Sequence, residues 1–151
     1  MHTLEQTQIL PVSIERLWDF VQNPQNLDPR TPPDLNFLIV NEVPKIMFDG
    51  LIIEYQITVP LFGKQQWVTE IKHIEENRSF VDEQRLGPYR FWYHYHQLTQ
   101  EESGTKMLDR VYYELPYGVL GKVLHLLTVK NTLKRIFDYR KETLAIMFAQ
   151  Q

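Results

Sequence analysis

Hydrophobic and polar positions change their period along this chain, and the changes mark its elements. Residues 3 to 10 alternate like a strand and end at Pro11. Leu17, Phe20 and Val21 then recur at helical spacing behind Ser13, a good N-cap, with Trp18 at the edge of the apolar side. Arg16 stands where a capping box would carry Glu or Gln. Asn23-Pro24 stops this helix, and a second brief one is expected over 25–30, closed by Thr31-Pro32-Pro33. Strand patterns follow at Phe37 to Val43, Leu51 to Val59, Gln65 to Ile74, Ser79 to Leu86, Phe91 to Thr99 and Lys106 to Leu115. The breaks are Asp49-Gly50, Pro60-Leu61-Phe62-Gly63, Glu76-Asn77, Gly87-Pro88 and Ser103-Gly104. Connections this short demand antiparallel pairing, hence a meander. After Pro116 the helical period returns: Leu133, Ile136, Phe137, Leu144 and Met147 share one side, with Lys134, Arg135, Asp138 and Lys141 elsewhere. Gly118 and Gly121 weaken the first turns of this long helix.

The order predicts an α+β architecture, a curved seven-stranded antiparallel sheet with two short helices and a long C-terminal helix as its cover. Space between sheet and helix is expected. Alternation phases the strands. Ile53, Tyr55, Ile57 and Val59 point inward; so do Trp67, Thr69 and Ile71, then Phe80, Asp82, Gln84 and Leu86, then Met107, Asp109, Val111 and Tyr113. In Phe91 to Thr99 the aromatics compete, and aliphatic Leu98 sets the phase, placing Trp92, His94 and His96 inside and Tyr93 and Tyr95 outside.

Polar groups therefore enter the interior: Asp82, Gln84, His94, His96, Asp109 and Tyr113. Buried ions cost several kcal/mol each unless paired, so the cluster needs internal partners or a pocket. Arg140 falls in the centre of the apolar stripe of the long helix. It is expected to form a structural ion pair with Asp82 or Asp109. Alternate turns of a meander lie at the same end. Pro60 to Gly63, Leu86 to Tyr89 and Leu115 to Gly118 then form an apolar rim, and Glu75 to Arg78 and Glu101 to Gly104 a charged one. The apolar rim reads as a mouth.

The 151 residues, 43% hydrophobic and 23% charged, fit one globular domain over 1–151. A net charge of −3 argues against nucleic acid. The absence of cysteine removes disulfides and thiolate chemistry. The N-terminus lacks a signal-peptide pattern, and no apolar run approaches the about 20 residues that span a bilayer. A soluble cytoplasmic protein is expected, meeting membranes only transiently.

Several motifs carry a family resemblance: Ser13 to Trp18, Thr31-Pro32-Pro33, Trp67, Phe80-Val81-Asp82-Glu83-Gln84, Gly87-Pro88-Tyr89, Trp92-Tyr93-His94-Tyr95-His96, Asp109, Tyr113-Glu114-Leu115-Pro116 and Tyr139-Arg140. With the element order, they make the chain resemble the START-like, or SRPBCC, superfamily of polyketide cyclases and birch-pollen-allergen-like proteins. The specific likeness is to a bacterial ligand-binding subfamily. The resemblance implies the helix-grip fold and a cavity for a small hydrophobic molecule: a lipid, an isoprenoid or an aromatic polyketide. The iron ligands of the superfamily's oxygenase domains have no counterpart.

The expected ligand-binding residues are Tyr55, Trp67, Gln84, Trp92, His94, His96, Val111 and Tyr113, with Gln84 and the histidines orienting a polar group of the ligand. The alternative is a cyclase or dehydratase in which His94 or His96 is a general base tuned by Asp82 or Asp109, with Tyr113 as proton donor. His-x-His beside an aspartate also suits a metal, but a fourth ligand and cysteine are missing, so neither metal nor other cofactor is expected.

Overall fold

Alternating residues make β1 (His2–Leu10), and the following turn leads into α1 (Ile14–Val21). The Ser13 hydroxyl accepts from the Arg16 N–H at 3.4 Å and caps α1. Trp18, at the edge of that apolar side in the sequence, is a core anchor: it is buried and packs edge-on to Phe80 at 6.0 Å. The docked stripe of α1 is Leu17, Trp18 and Val21, and Phe20 is left half-buried against Phe148. The computed structural model describes residues 1–26, 31–59, 63–118, 120, 123 and 128–149. Most of the second helix expected over 25–30, the turn at 60–62 and Gly121 lie outside them.

A 3-10 turn (Pro33–Leu35) precedes β2 (Leu38–Ile39). The meander follows: β3 (Ile52–Val59), β4 (Gly63–Glu75), β5 (Ser79–Leu86), β6 (Phe91–Glu101) and β7 (Gly104–Glu114). Helix α2 (Lys130–Ala149) closes the described chain. The sheet runs β1-β7-β6-β5-β4-β3-β2 with every pair antiparallel. This is the predicted α+β helix-grip arrangement.

Two strands depart from expectation. β2 is two residues long rather than the seven of Phe37 to Val43. Asn36 adopts a left-handed φ of 44°, and beyond Val40 the Asn41 side chain replaces the backbone ladder. Its amide donates to the Ile52 carbonyl at 3.0 Å and its oxygen accepts from the Glu54 N–H at 2.9 Å. In β5 the inward phase holds at Phe80 and Asp82 but fails at Leu86, which is 54% exposed. The β4–β5 register shifts between Val68 and Thr69, and the β5–β6 ladder ends at Glu83 and Tyr93, so this end of β5 leaves the regular sheet.

Elsewhere alternation sets burial. Trp92, His94, His96 and Leu98 are all buried, as are Met107, Asp109, Val111 and Tyr113 on the adjacent strand. Helix α2 lays Leu133, Phe137, Arg140, Leu144 and Phe148 into the structure. A fully buried leucine such as Leu144 contributes about 1.5–3 kcal/mol. The β6–β7 turn meets the start of α1 at a tight junction. The Thr105 hydroxyl donates to the Val12 carbonyl at 2.8 Å. The Gln100 amide donates to the Gly104 carbonyl at 2.9 Å and its oxygen accepts from the Ile14 N–H at 3.0 Å.

Candidate functional site

Neighbouring strands β5, β6 and β7 each turn acid or imidazole groups to the same inner face. Register places Asp82 opposite His94 and His96 opposite Asp109. The result is a closed quartet. His94 reaches Asp109 through Nε2 at 2.9 Å and Asp82 through Nδ1 at 3.1 Å. His96 reaches Asp82 through Nε2 at 2.6 Å, and its Nδ1 stands 2.9 Å from Asp109 without hydrogen-bond alignment. The rings of His94 and His96 lie 3.8 Å apart, and His96 stacks on Phe80 at 4.2 Å. The Trp92 indole N–H donates to the free oxygen of Asp82 at 3.3 Å.

The electrostatics follow from burial opposed by pairing. Burial by itself raises the Asp82 carboxyl, but the charge of His94 and hydrogen bonds from both imidazoles outweigh it and hold the group far below the usual carboxylate range. Burial likewise works against ionised Asp109, and the hydrogen bond from His94, with the His96 ring close beside it, brings it well down. For His94, burial favours the neutral ring, whereas the Asp82 charge and the bond to Asp109 prevail and raise its pKa. The quartet is thus a buried set of imidazole–carboxylate contacts in which each acid stands against both rings.

Beside it lies a cavity of about 270 Å³ between sheet and α2. Its wall is formed by Tyr55 and Ile57 from β3, Trp67 and Thr69 from β4, Trp92 from β6, and Leu133 and Phe137 from α2. Asp82, His94, His96 and Arg140 add the charged part of the lining. Pro88, Tyr89, Leu115, Pro116 and Tyr117 line the end where the apolar rim is expected. Aromatic rings brace the wall: Trp67 meets Trp92 edge-on at 5.1 Å and Tyr89 at 5.5 Å. The buried Trp67 N–H is satisfied by the Thr69 hydroxyl at 3.0 Å. Burial, with a contribution from Tyr113, raises the Tyr89 phenol and keeps it neutral.

Of the expected ligand-binding residues, Tyr55, Trp67, Trp92, His94 and His96 line this cavity. Gln84, Val111 and Tyr113 do not. Gln84 clamps the β5–β6 turn: its amide donates to the Tyr89 carbonyl at 2.7 Å and its oxygen accepts from the Tyr89 N–H at 3.2 Å. Val111 is fully buried and Tyr113 is 2% exposed, both away from the lining. Tyr113 instead packs against His2 and Trp92. Met47 and Thr132 line the cavity and carry no signal in the strand pattern, and Phe37, expected to open a strand, lines it from ahead of β2.

The expected ion pair of Arg140 with Asp82 or Asp109 is not formed. Both acids are taken up by the imidazoles, and among the described residues no carboxylate lies within ion-pair distance of the guanidinium. Arg140 is 9% exposed, its Nε has no hydrogen-bond partner, and its Cζ lies 5.1 Å from the centre of the Phe137 ring.

Asp82, His94 and His96 also set three donor atoms within 4.8 Å of one another, a candidate metal set. Their N···O separations of 2.6 and 3.1 Å are hydrogen-bond lengths. Donors bound tetrahedrally at about 2.1 Å stand roughly 3.4 Å apart, so the set as arranged suits protons better than a metal.

The chain is similar to several solved structures across nearly its whole length. A START superfamily protein from Mycobacterium smegmatis matches with a TM-score of 0.72 and 13% identity over 99% of both chains. The protein TTHA0849 from Thermus thermophilus matches at 0.69 and 16% identity, covering 95% of this chain and 97% of that one. Ara h 8.0201 matches at 0.64 and 18%, again over 95% and 97%. No protein-family model matches the chain, and no curated protein does. The shared feature at these identities is the START-like, SRPBCC-type fold.

Proposed function

We propose that this chain binds a small hydrophobic molecule in the cavity between its sheet and α2. The observation that carries the reading is the cavity itself, about 270 Å³ walled by aromatic and aliphatic side chains with a few placed polar groups. That composition is typical of small-molecule sites, and its volume is near the lower end of their roughly 300–1,000 Å³ range. The fold it shares with a START superfamily protein is consistent with a carrier or sensor of a lipid, isoprenoid or aromatic ligand. Native mass spectrometry of freshly purified protein, followed by identification of any organic molecule retained, tests it directly.

A cavity-blocking substitution gives a second test. Thr132 is half-buried on α2 and lines the cavity. Thr132→Trp is expected to weaken binding of a neutral probe such as decanol by at least roughly tenfold, about 1.4 kcal/mol, with little change in melting temperature. Unaltered affinity, measured calorimetrically, would remove the cavity as the binding site. Acid–base catalysis by His94 or His96 has less support. Both ring nitrogens of each histidine already face an aspartate, leaving no lone pair turned to a substrate proton.

A further inference from the structure

Among the described residues, the one acid of the cavity wall, Asp82, is held by two imidazoles, but the one guanidinium there has no acid. Arg140 projects from the middle of the buried stripe of α2 and is nine-tenths buried. It belongs to the cavity lining. Its Nε is unpartnered, and the two nearby aspartates are each held by two imidazoles. The neighbouring Phe137 ring offers only its face. A guanidinium carries five N–H donors in a planar fork that fits a carboxylate with two parallel bonds. Leaving such a group buried and unpaired costs several kcal/mol. A hydrophobic side chain of similar length would cover the sheet without that cost.

We propose that Arg140 is the receptor for a carboxylate, and that the cavity takes an amphipathic monocarboxylic acid. The inference rests on the proposed hydrophobic-ligand reading and specifies the ligand's polar end. The acid group lies against the guanidinium beside Phe137, and the apolar body lies along Trp67, Trp92 and Tyr55. The quartet supplies no competing cation: its imidazoles are committed to Asp82 and Asp109, and the exposed part of Asp82, 21% of its side chain, repels an anion placed there. That repulsion leaves the Arg140 end for the acid and fixes the ligand's direction. The cavity volume lies near the lower end of the range for small-molecule sites, which points to a small acid. Medium-chain and aryl-substituted acids are of that size.

Calorimetric titration of the full chain with decanoate and with decanol, which have similar apolar bodies and different ends, tests the assignment. The wild-type protein is expected to prefer decanoate by at least roughly tenfold, the scale of a charge-assisted pair. Arg140→Met is expected to abolish that preference while retaining decanol binding, and Arg140→Lys to keep part of it. Arg140→Met is also expected to melt no lower than the wild type, because it removes an unpaired buried charge. Equal binding of the two probes by the wild type would overturn the carboxylate assignment and leave the hydrophobic site standing. Binding of neither probe would overturn both. A retained preference in Arg140→Met, in protein that still melts cooperatively, would place the anion elsewhere and overturn the role of Arg140.

Discussion

Replacing Asp109 with alanine is expected to destabilise the fold by about 3–5 kcal/mol, the range for removing one partner of a buried ion pair. Asp109 is 5% exposed and stands 2.9 Å from a nitrogen of each imidazole. Its loss leaves the buried Nε2 of His94 and Nδ1 of His96 facing a void. The same quartet sets the pH dependence. The His94 pKa is raised by folding, so its contribution is complete below the ordinary imidazole value of about 6.5 and is lost as pH climbs through the raised value. Asp82 and Asp109 are lowered by folding, so theirs are complete above about 3.9 and are lost as pH falls through the lowered values. The quartet therefore stabilises most between those limits and loses strength on the alkaline side. Urea unfolding at about pH 5.5 and about pH 8.5 should show the wild type weaker at the higher value. Asp109→Ala should show a smaller difference. A wild type that gains stability over that interval, or an Asp109→Ala protein within about 1 kcal/mol of it, contradicts this picture.

The second large effect is expected at Gly104. Its φ is +134°, and a Cβ built there runs into the Leu10 carbonyl and the Pro11 Cα, both backbone. The junction cannot easily give way. Thr105 is tied to Val12, and Gln100 to Gly104 and Ile14. Gly104→Ala then combines a disfavoured backbone conformation with overpacking, together about 2–6 kcal/mol. Gly50 provides the control. It also has a positive φ, +86°, but a Cβ there meets nothing within 4 Å, so Gly50→Ala is expected to cost only the conformational part, about 1–3 kcal/mol. Comparable losses in chemical denaturation of the two variants would show that the Leu10 contact is not what constrains Gly104.

Much of this structure is legible in the residue pattern because alternation is a strong constraint. In β6 a single aliphatic residue, Leu98, phases Trp92, His94 and His96, and all four are buried. Once β5 and β7 are phased, the four members of the quartet must occupy adjacent strands. What parity does not contain is pairing. Two inward acids and three inward bases can be matched in several ways, and the choice depends on cross-strand register and on the reach of α2. Arg140 is therefore identifiable in the sequence as a buried cation, but the aspartates it is expected to meet belong to the imidazoles. Gln84 departs for a related reason: parity puts it inside, but the register shift beside Thr69 carries the end of β5 toward its own turn. The shortness of β2 has no sequence signal beyond Asn41, a residue able to imitate the backbone with its side chain.

The pairing of β1 with β7 has a kinetic consequence. Leu4 finds Val111 across an interval of more than two-thirds of the 151-residue chain, whereas β3 to β7 pair with their immediate neighbours. Topologies rich in distant contacts fold slowly. During synthesis from the N-terminus, the first nine-residue strand must wait, unpartnered, until the last one has left the ribosome. Over that interval its unpaired edge is open to association with other chains.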